Sequence, residues 1–162
     1  LHCLSDFERI SDHAVNLVES AQEMKEKKQE FSKKAKEELA IFTQAVKDIV
    51  EVSFDVFEKE DITKAALVEP LEEVIDDLQA EMKKRHVKRL QKGKCTIEMG
   101  FVLSDVVTSY ESISDHCSNI AGCIIEISQY GALDMHKYIA DIRHGSAKFE
   151  EKYNEFKKEY VI

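Results

Sequence analysis

Apolar residues recur three and four positions apart through almost the whole chain, and that spacing leaves little but amphipathic helices to build from. Phe7, Ile10, Ala14, Leu17, Ala21 and Met24 mark a first helix from about Leu1 to Lys27. The charged stretch Lys25 to Glu30 ends it, and Ser32 can cap a second helix striped by Leu39, Phe42, Val46, Ile49 and Val56, ending near Glu60. Asp61 can cap a third, read to Gln91, with a kink or break expected just before Pro70. After the tight Lys92-Gly93-Lys94 link, the longest helix runs from Thr96 to Tyr130. Its stripe is Met99, Val102, Val106, Tyr110, Ile113, Cys117, Ile120, Ile124 and Ile127. Gly131 then suits a helix end and Asp134 a new cap, before a fifth helix carrying Met135, Ile139, Ile142, Phe149, Tyr153, Phe156 and Tyr160.

Short connections make neighbouring helices antiparallel. The predicted fold is therefore all-α: a single domain of about five helices in an antiparallel bundle. Helices 32–60, 62–91 and 96–130 should form one three-helix bundle. The stripe of helix one is expected to be covered by helix five or by a second copy of the chain, as in a homodimer. One proline and five glycines are too few for an all-β domain with many tight turns. A net charge of -9 argues against a nucleic-acid partner, whose phosphates ask for Lys and Arg. Cys3, Cys95, Cys117 and Cys123 show no C-x-x-C pair, so they read as free thiols and small core fillers in a reducing, cytoplasmic compartment. No apolar run nears the ~18 residues that cross a bilayer, and no signal-peptide pattern is present. The chain opens without Met, its helical pattern already running at Leu1, and so reads as a piece of something longer.

The feature that bears on function is internal. Phe7-Glu8-Arg9-Ile10-Ser11-Asp12-His13-Ala14-Val15-Asn16 recurs as Tyr110-Glu111-Ser112-Ile113-Ser114-Asp115-His116-Cys117-Ser118-Asn119. Core periodicity explains a repeated Ile; it does not explain repeated Glu, Asp, His and Asn. Glu and Asp four apart stack on one helix face, roughly 6 Å apart along the axis. Against a heptad seam, Glu8 and Glu111 fall at b and Asp12 and Asp115 at f, facing away from the main core. Glu72 and Asp76 take the same positions if Leu71, Val74 and Leu78 make the seam of helix three. Two such pairs on neighbouring helices would offer four carboxylates to one point, a set of hard oxygen ligands suited to Mg, Ca, Mn or iron. The competing reading is a solvated acidic face, the ordinary meaning of a lone Glu-x-x-x-Asp. His13 and His116 read as seam-flanking residues that hydrogen-bond locally, Glu73 and Asp77 as solvated. His86 reads as part of a basic helix end.

Glu8 to Asn16 resembles the E-R-I-G/S-D-x-x-x-N signature of PhoU domains, and Glu111 to Asn119 its second copy. Val68 to Asp76, Arg85-His86 and the Cys95 to Ile125 helix resemble more narrowly the cytoplasmic PhoU-like tail of bacterial sodium/phosphate cotransporters. The resemblance implies three-helix bundles that each bind a multinuclear metal cluster, often iron, on the outer surface. It assigns Glu8 and Asp12 to a first bundle, of which residues 1–30 are a remnant. Glu72, Asp76, Glu111 and Asp115 go to a second, residues 31–130, with 134–162 as an extra C-terminal helix. Ser112 departs from the pattern, since Arg9 has no counterpart there. The two helices expected before Leu1 are absent, leaving the first site without partner carboxylates. The implied function is a non-catalytic, metal-binding regulator of phosphate uptake whose partner is a membrane transport domain. Two alternatives stand beside it: a helical adaptor without metal, and a di-iron carboxylate enzyme. The last builds its site inside a bundle with Glu-x-x-His, which occurs nowhere in this chain.

Overall fold

Ser32 and Asp61 each close the open end of a helix as expected. The Ser32 hydroxyl accepts from the Ala35 amide at 3.3 Å, and Asp61 Oδ1 accepts from the Thr63 and Lys64 amides at 3.0 and 3.1 Å. The computed structural model describes residues 2–128 and 147–162. Within them α1 spans His2–Glu26, α2 Lys33–Lys59, α3 Ile62–Gln91, α4 Ile97–Ser128 and α5 Ala147–Glu159. No strand occurs among the described residues, so the all-α expectation holds. Gly131, Asp134 and the stripe from Met135 to Ile142 lie outside them.

Helices α2, α3 and α4 pack against one another as the expected three-helix bundle, with α1 on α4 and α5 on α3. Side-chain pairs fix the directions. Glu38 with Arg89 and Asp55 with Lys64 run α2 against α3; Glu69 with Ser118 and the His86 ring beside Gly100 run α3 against α4. Thr43 with Tyr110 and Ser53 with Cys117 make α2 and α4 parallel. The centre is filled by Phe42, Ile49 and Val56 from α2, Leu71, Ile75 and Met82 from α3, and Val107, Cys117 and Ile120 from α4. Burying a side chain of this size contributes roughly 1.5–3 kcal/mol each.

Four expectations are corrected. Of the kink or break expected at Pro70, the break does not occur, since α3 runs on through it. Proline costs the bond to the Ala66 carbonyl; Ala66 is exposed, so water is within reach of it, while the buried Pro70 ring packs in the core. Among the described residues, α1 is covered by α4 and by Phe54 and Phe57 of α2, whose rings meet Phe7 edge-on at 5.1 and 4.8 Å. It turns Ile10, His13, Leu17 and Ser20 inward, leaving Ala14 and Ala21 exposed. Ile127, at the end of the α4 stripe, is likewise exposed. Finally, all four cysteines are free thiols, but only Cys117 and Cys123 are buried as core fillers. Burial pushes each of those two thiols up to about 12.

Candidate functional site

The two copies of the acidic motif lie across from each other, because α1 runs antiparallel to α4. Asp6 Oδ1 accepts from His116 Nδ1 at 2.9 Å and from Asn119 Nδ2 at 3.2 Å, and at the other end Lys27 pairs with Glu98 at 3.1 Å. His13 and His116, the same position of the two copies, stack with ring centres 6.0 Å apart. His116 therefore bonds across helices rather than locally, correcting that reading. The match stops short of full symmetry. Ser109 occupies the position equivalent to Asp6, and it lines a cleft of about 430 Å³ with His13 and Asn16. His13 Nδ1 is buried there with no hydrogen-bond partner among the described residues. Burial and the neighbouring His116 hold its pKa below the ordinary imidazole value, against the opposing pull of Asp12 and Glu111.

A second polar seam runs between α3 and α4. Glu69, Glu72, Glu73 and Asp76 recur at helical spacing on α3; Glu111, Ser114, Asp115 and Ser118 recur at the same spacing on α4. Ser118 Oγ donates to Glu69 Oε2 at 2.6 Å and fixes the antiparallel register. Followed along both helices, that register sets Glu72 level with Asp115 and Asp76 level with Glu111. The two acidic pairs thus share one stretch of the bundle. Their burial is unequal. Glu72 is only 4 % exposed, Asp76 and Glu111 are half-buried, and Asp115 is exposed. The expectation that Glu72 faces away from the core is corrected: α3 contacts α2, α4 and α5, so a single-seam heptad misplaces its flank. Glu8 and Asp12 are exposed on the outer side of α1.

Glu69, Ser114 and Ser118 were missed by the sequence reading. Their signal was present, since extending each Glu-x-x-x-Asp pair by three residues at one end gives the two facing stripes. Glu69, Glu72, Glu73 and Asp76 all have interaction partners. Asp77, expected to be solvated, accepts from Tyr153 and Lys157 at 2.7 Å each.

The donors suit a hard cation, because carboxylates and hydroxyls supply oxygen alone. Ser114 Oγ, buried in the middle of the seam, has no hydrogen-bond partner among the described residues and offers one more oxygen. As the side chains stand, no three His, Cys, Asp or Glu residues converge on a metal position among the described residues. Closing such a site asks for rotamer changes at the seam, which the exposed Asp115 can make freely.

A family model described as the PhoU domain matches residues 39–124, which span most of α2, all of α3 and most of α4. The chain belongs to the PhoU domain family. It is similar to a curated protein of Thermotoga maritima named phosphate-specific transport system accessory protein PhoU homolog 1, at 26% identity over 142 residues. That alignment takes in 88% of this chain and 60% of the relative, so the chain spans a little under two thirds of the relative's length. No solved structure matches. The matched segment contains both acidic stripes of the α3–α4 seam and the second motif copy, while α1 lies outside it.

Proposed function

We propose that this PhoU domain is a non-catalytic regulator of phosphate uptake that binds a hard cation at the α3–α4 seam. Glu72, Asp76, Glu111 and Asp115 are its ligands, with iron or another divalent or trivalent metal as occupant. The observation that supports it is the pairing of Glu72 with Asp115 and Asp76 with Glu111 in register, inside the segment that matches the family. Glu8 and Asp12 on α1 belong on this reading to a separate first bundle, of which residues 1–30 supply one helix. The name of the Thermotoga relative, a phosphate-specific transport system accessory protein, supports a link to phosphate transport. The likeness of Val68 to Asp76 and of the Cys95 to Ile125 helix to sodium/phosphate cotransporter tails favours a membrane transport domain as partner, with this domain on the cytoplasmic side. Among the described residues, no helix is long and apolar enough to cross a membrane.

Carboxylates bind metal deprotonated, so affinity weakens as pH falls through the carboxylate range. A ligand selective for the folded state adds RT ln(1 + [L]/Kd), about 2.7 kcal/mol at a hundredfold excess over Kd. Thermal unfolding with Fe, Mn, Zn, Mg and Ca therefore tests the reading. One of these metals should raise the midpoint of the wild type and leave Glu111→Gln/Asp115→Asn unmoved. If none moves the wild type, or both proteins respond alike, the chain is a helical adaptor without a metal site.

A further inference from the structure

The net charge of the whole chain hides a strong separation. Residues 25–36 and 83–98 hold thirteen Lys and Arg against three Glu, a formal +10; the remainder holds ten Lys and Arg against twenty-nine Asp and Glu, a formal -19. The two basic segments are far apart in sequence and adjacent in space. The first joins α1 to α2 and the second joins α3 to α4, and the antiparallel packing brings both turns to one end of the bundle. Lys27 reaches Glu98 there at 3.1 Å, and a cleft of about 240 Å³ opens between Ser32 on one turn and Arg89, Lys94 and Thr96 on the other.

Glu23, Glu37, Glu38 and Glu81 pair into this end from outside the two segments, and about half of its thirteen cations stay free to act outward. Lys28, Lys34, Lys83, Lys88, Lys92 and Lys94 are exposed and make no ion pair among the described residues. Large apolar side chains stand exposed beside them: Val87 at 51%, Ile97 at 73% and Phe101 at 69%. Val87 is on the last turns of α3, and Ile97 and Phe101 sit four apart on the first turns of α4, so all three belong to the same end. Exposed Lys around exposed apolar side chains is the combination that adsorbs to an anionic bilayer. The cations meet the headgroups, and the apolar groups enter the acyl boundary. A nucleic acid would use the same cations, but of the three apolar side chains only Phe101 has a ring on which a base can stack, whereas all three suit an acyl boundary.

We propose that this basic end docks on a membrane surface containing anionic phospholipid. It lies away from the α3–α4 acidic seam, and the acidic remainder of the molecule is repelled by the same surface, so the bundle stands on this end. Lys92 and Lys94 are the lead electrostatic contacts because the Gly93 turn, with its left-handed φ of 63°, projects them beyond both helices.

The test is flotation of the intact chain with vesicles of phosphatidylcholine alone or with a quarter phosphatidylglycerol, at low and high salt. Binding should require phosphatidylglycerol and fall with salt as screening shortens the reach of the charges. Lys92→Glu/Lys94→Glu should weaken it at least about tenfold, each lysine near the surface being worth about a factor of five. Phe101→Ser should weaken binding that persists at high salt. The control Lys47→Glu/Lys148→Glu makes the same change in net charge elsewhere and should bind as wild type; circular dichroism confirms that all variants are folded. Absence of binding to phosphatidylglycerol vesicles overturns the proposal, as does equal loss in the control. Binding to duplex DNA or polyglutamate without vesicle binding assigns this end to a nucleic acid or an acidic protein instead. None of these outcomes depends on metal at the acidic seam.

Discussion

His13 and His116 hold the same position in two copies of one motif and stack on each other, 6.0 Å apart, between antiparallel helices. Two like units facing each other in opposite directions bring equivalent residues together near a local twofold axis. A contact between equivalent positions is what that arrangement produces. Asp6 breaks the symmetry by bonding His116 and Asn119, while Ser109 leaves His13 and Asn16 at an open cleft.

The stack carries a pH dependence. Burial first, then His116, depress the His13 imidazole, and burial and Arg89 depress His86. A base whose folded pKa is lowered binds fewer protons when folded than when unfolded. Its contribution is intact above the ordinary value of about 6.5 and is lost as pH falls through that value toward the folded pKa. Urea midpoints should therefore drop between pH 7.5 and 5.5, and His13→Gln/His86→Gln should flatten the drop. A double variant that loses as much stability as the wild type over this range would remove both histidines from the account.

Seam and site separate by substitution. Ile113 is buried where α4 meets its neighbours, so Ile113→Ala should cost about 2–5 kcal/mol. Asp115 is exposed, and Asp115→Asn should stay within roughly 0.5 kcal/mol in the absence of metal. Denaturant unfolding of both reads the difference. Unfolding of the metal-free protein by Asp115→Asn would make Asp115 a structural residue.

Gly100 exists to admit the His86 ring. A Cβ built there lies 2.7 Å from Nε2 of the buried His86, so the ring has to shift to admit it. Gly100→Ala should lower stability by about 1–3 kcal/mol through overpacking. His86→Ala in the same chain should recover part of that loss, measured as a favourable coupling in a double-mutant cycle. Additive effects would locate the strain elsewhere.

Glu38 ties α2 to the basic end of α3, accepting from Arg85 at 3.2 Å and from Arg89 at 2.7 Å. Glu38 and Arg89 are both largely buried, so removing the acid strands a guanidinium inside the protein. Glu38→Ala should cost about 3–5 kcal/mol. Replacing the pair together, as Glu38→Leu/Arg89→Met, should cost much less. An equal loss from the double variant would mean that the contact stabilises by packing rather than by pairing.

Sequence alone determined the helices and most of their ends. Periodicity, Ser32, Asp61 and the Gly93 turn act within one or two turns of backbone, and local chemistry of that range is legible in a string. The duplicated motif was equally visible, since repetition needs no coordinates. Tertiary structure decided which side of each helix faces inward. A helix with one neighbour buries one stripe, and the heptad reading assumed that; α3 and α4 touch three neighbours each, so their flanks are buried as well. That is why Glu72 lies inside and why Glu69, Ser114 and Ser118, which extend the two acidic pairs in the sequence, are buried in the seam. The same applies to Pro70, whose ring is buried in the core while α3 continues through it. It applies most of all to charge: -9 is a sum over the string, whereas the basic end exists because two turns distant in sequence fold to one place.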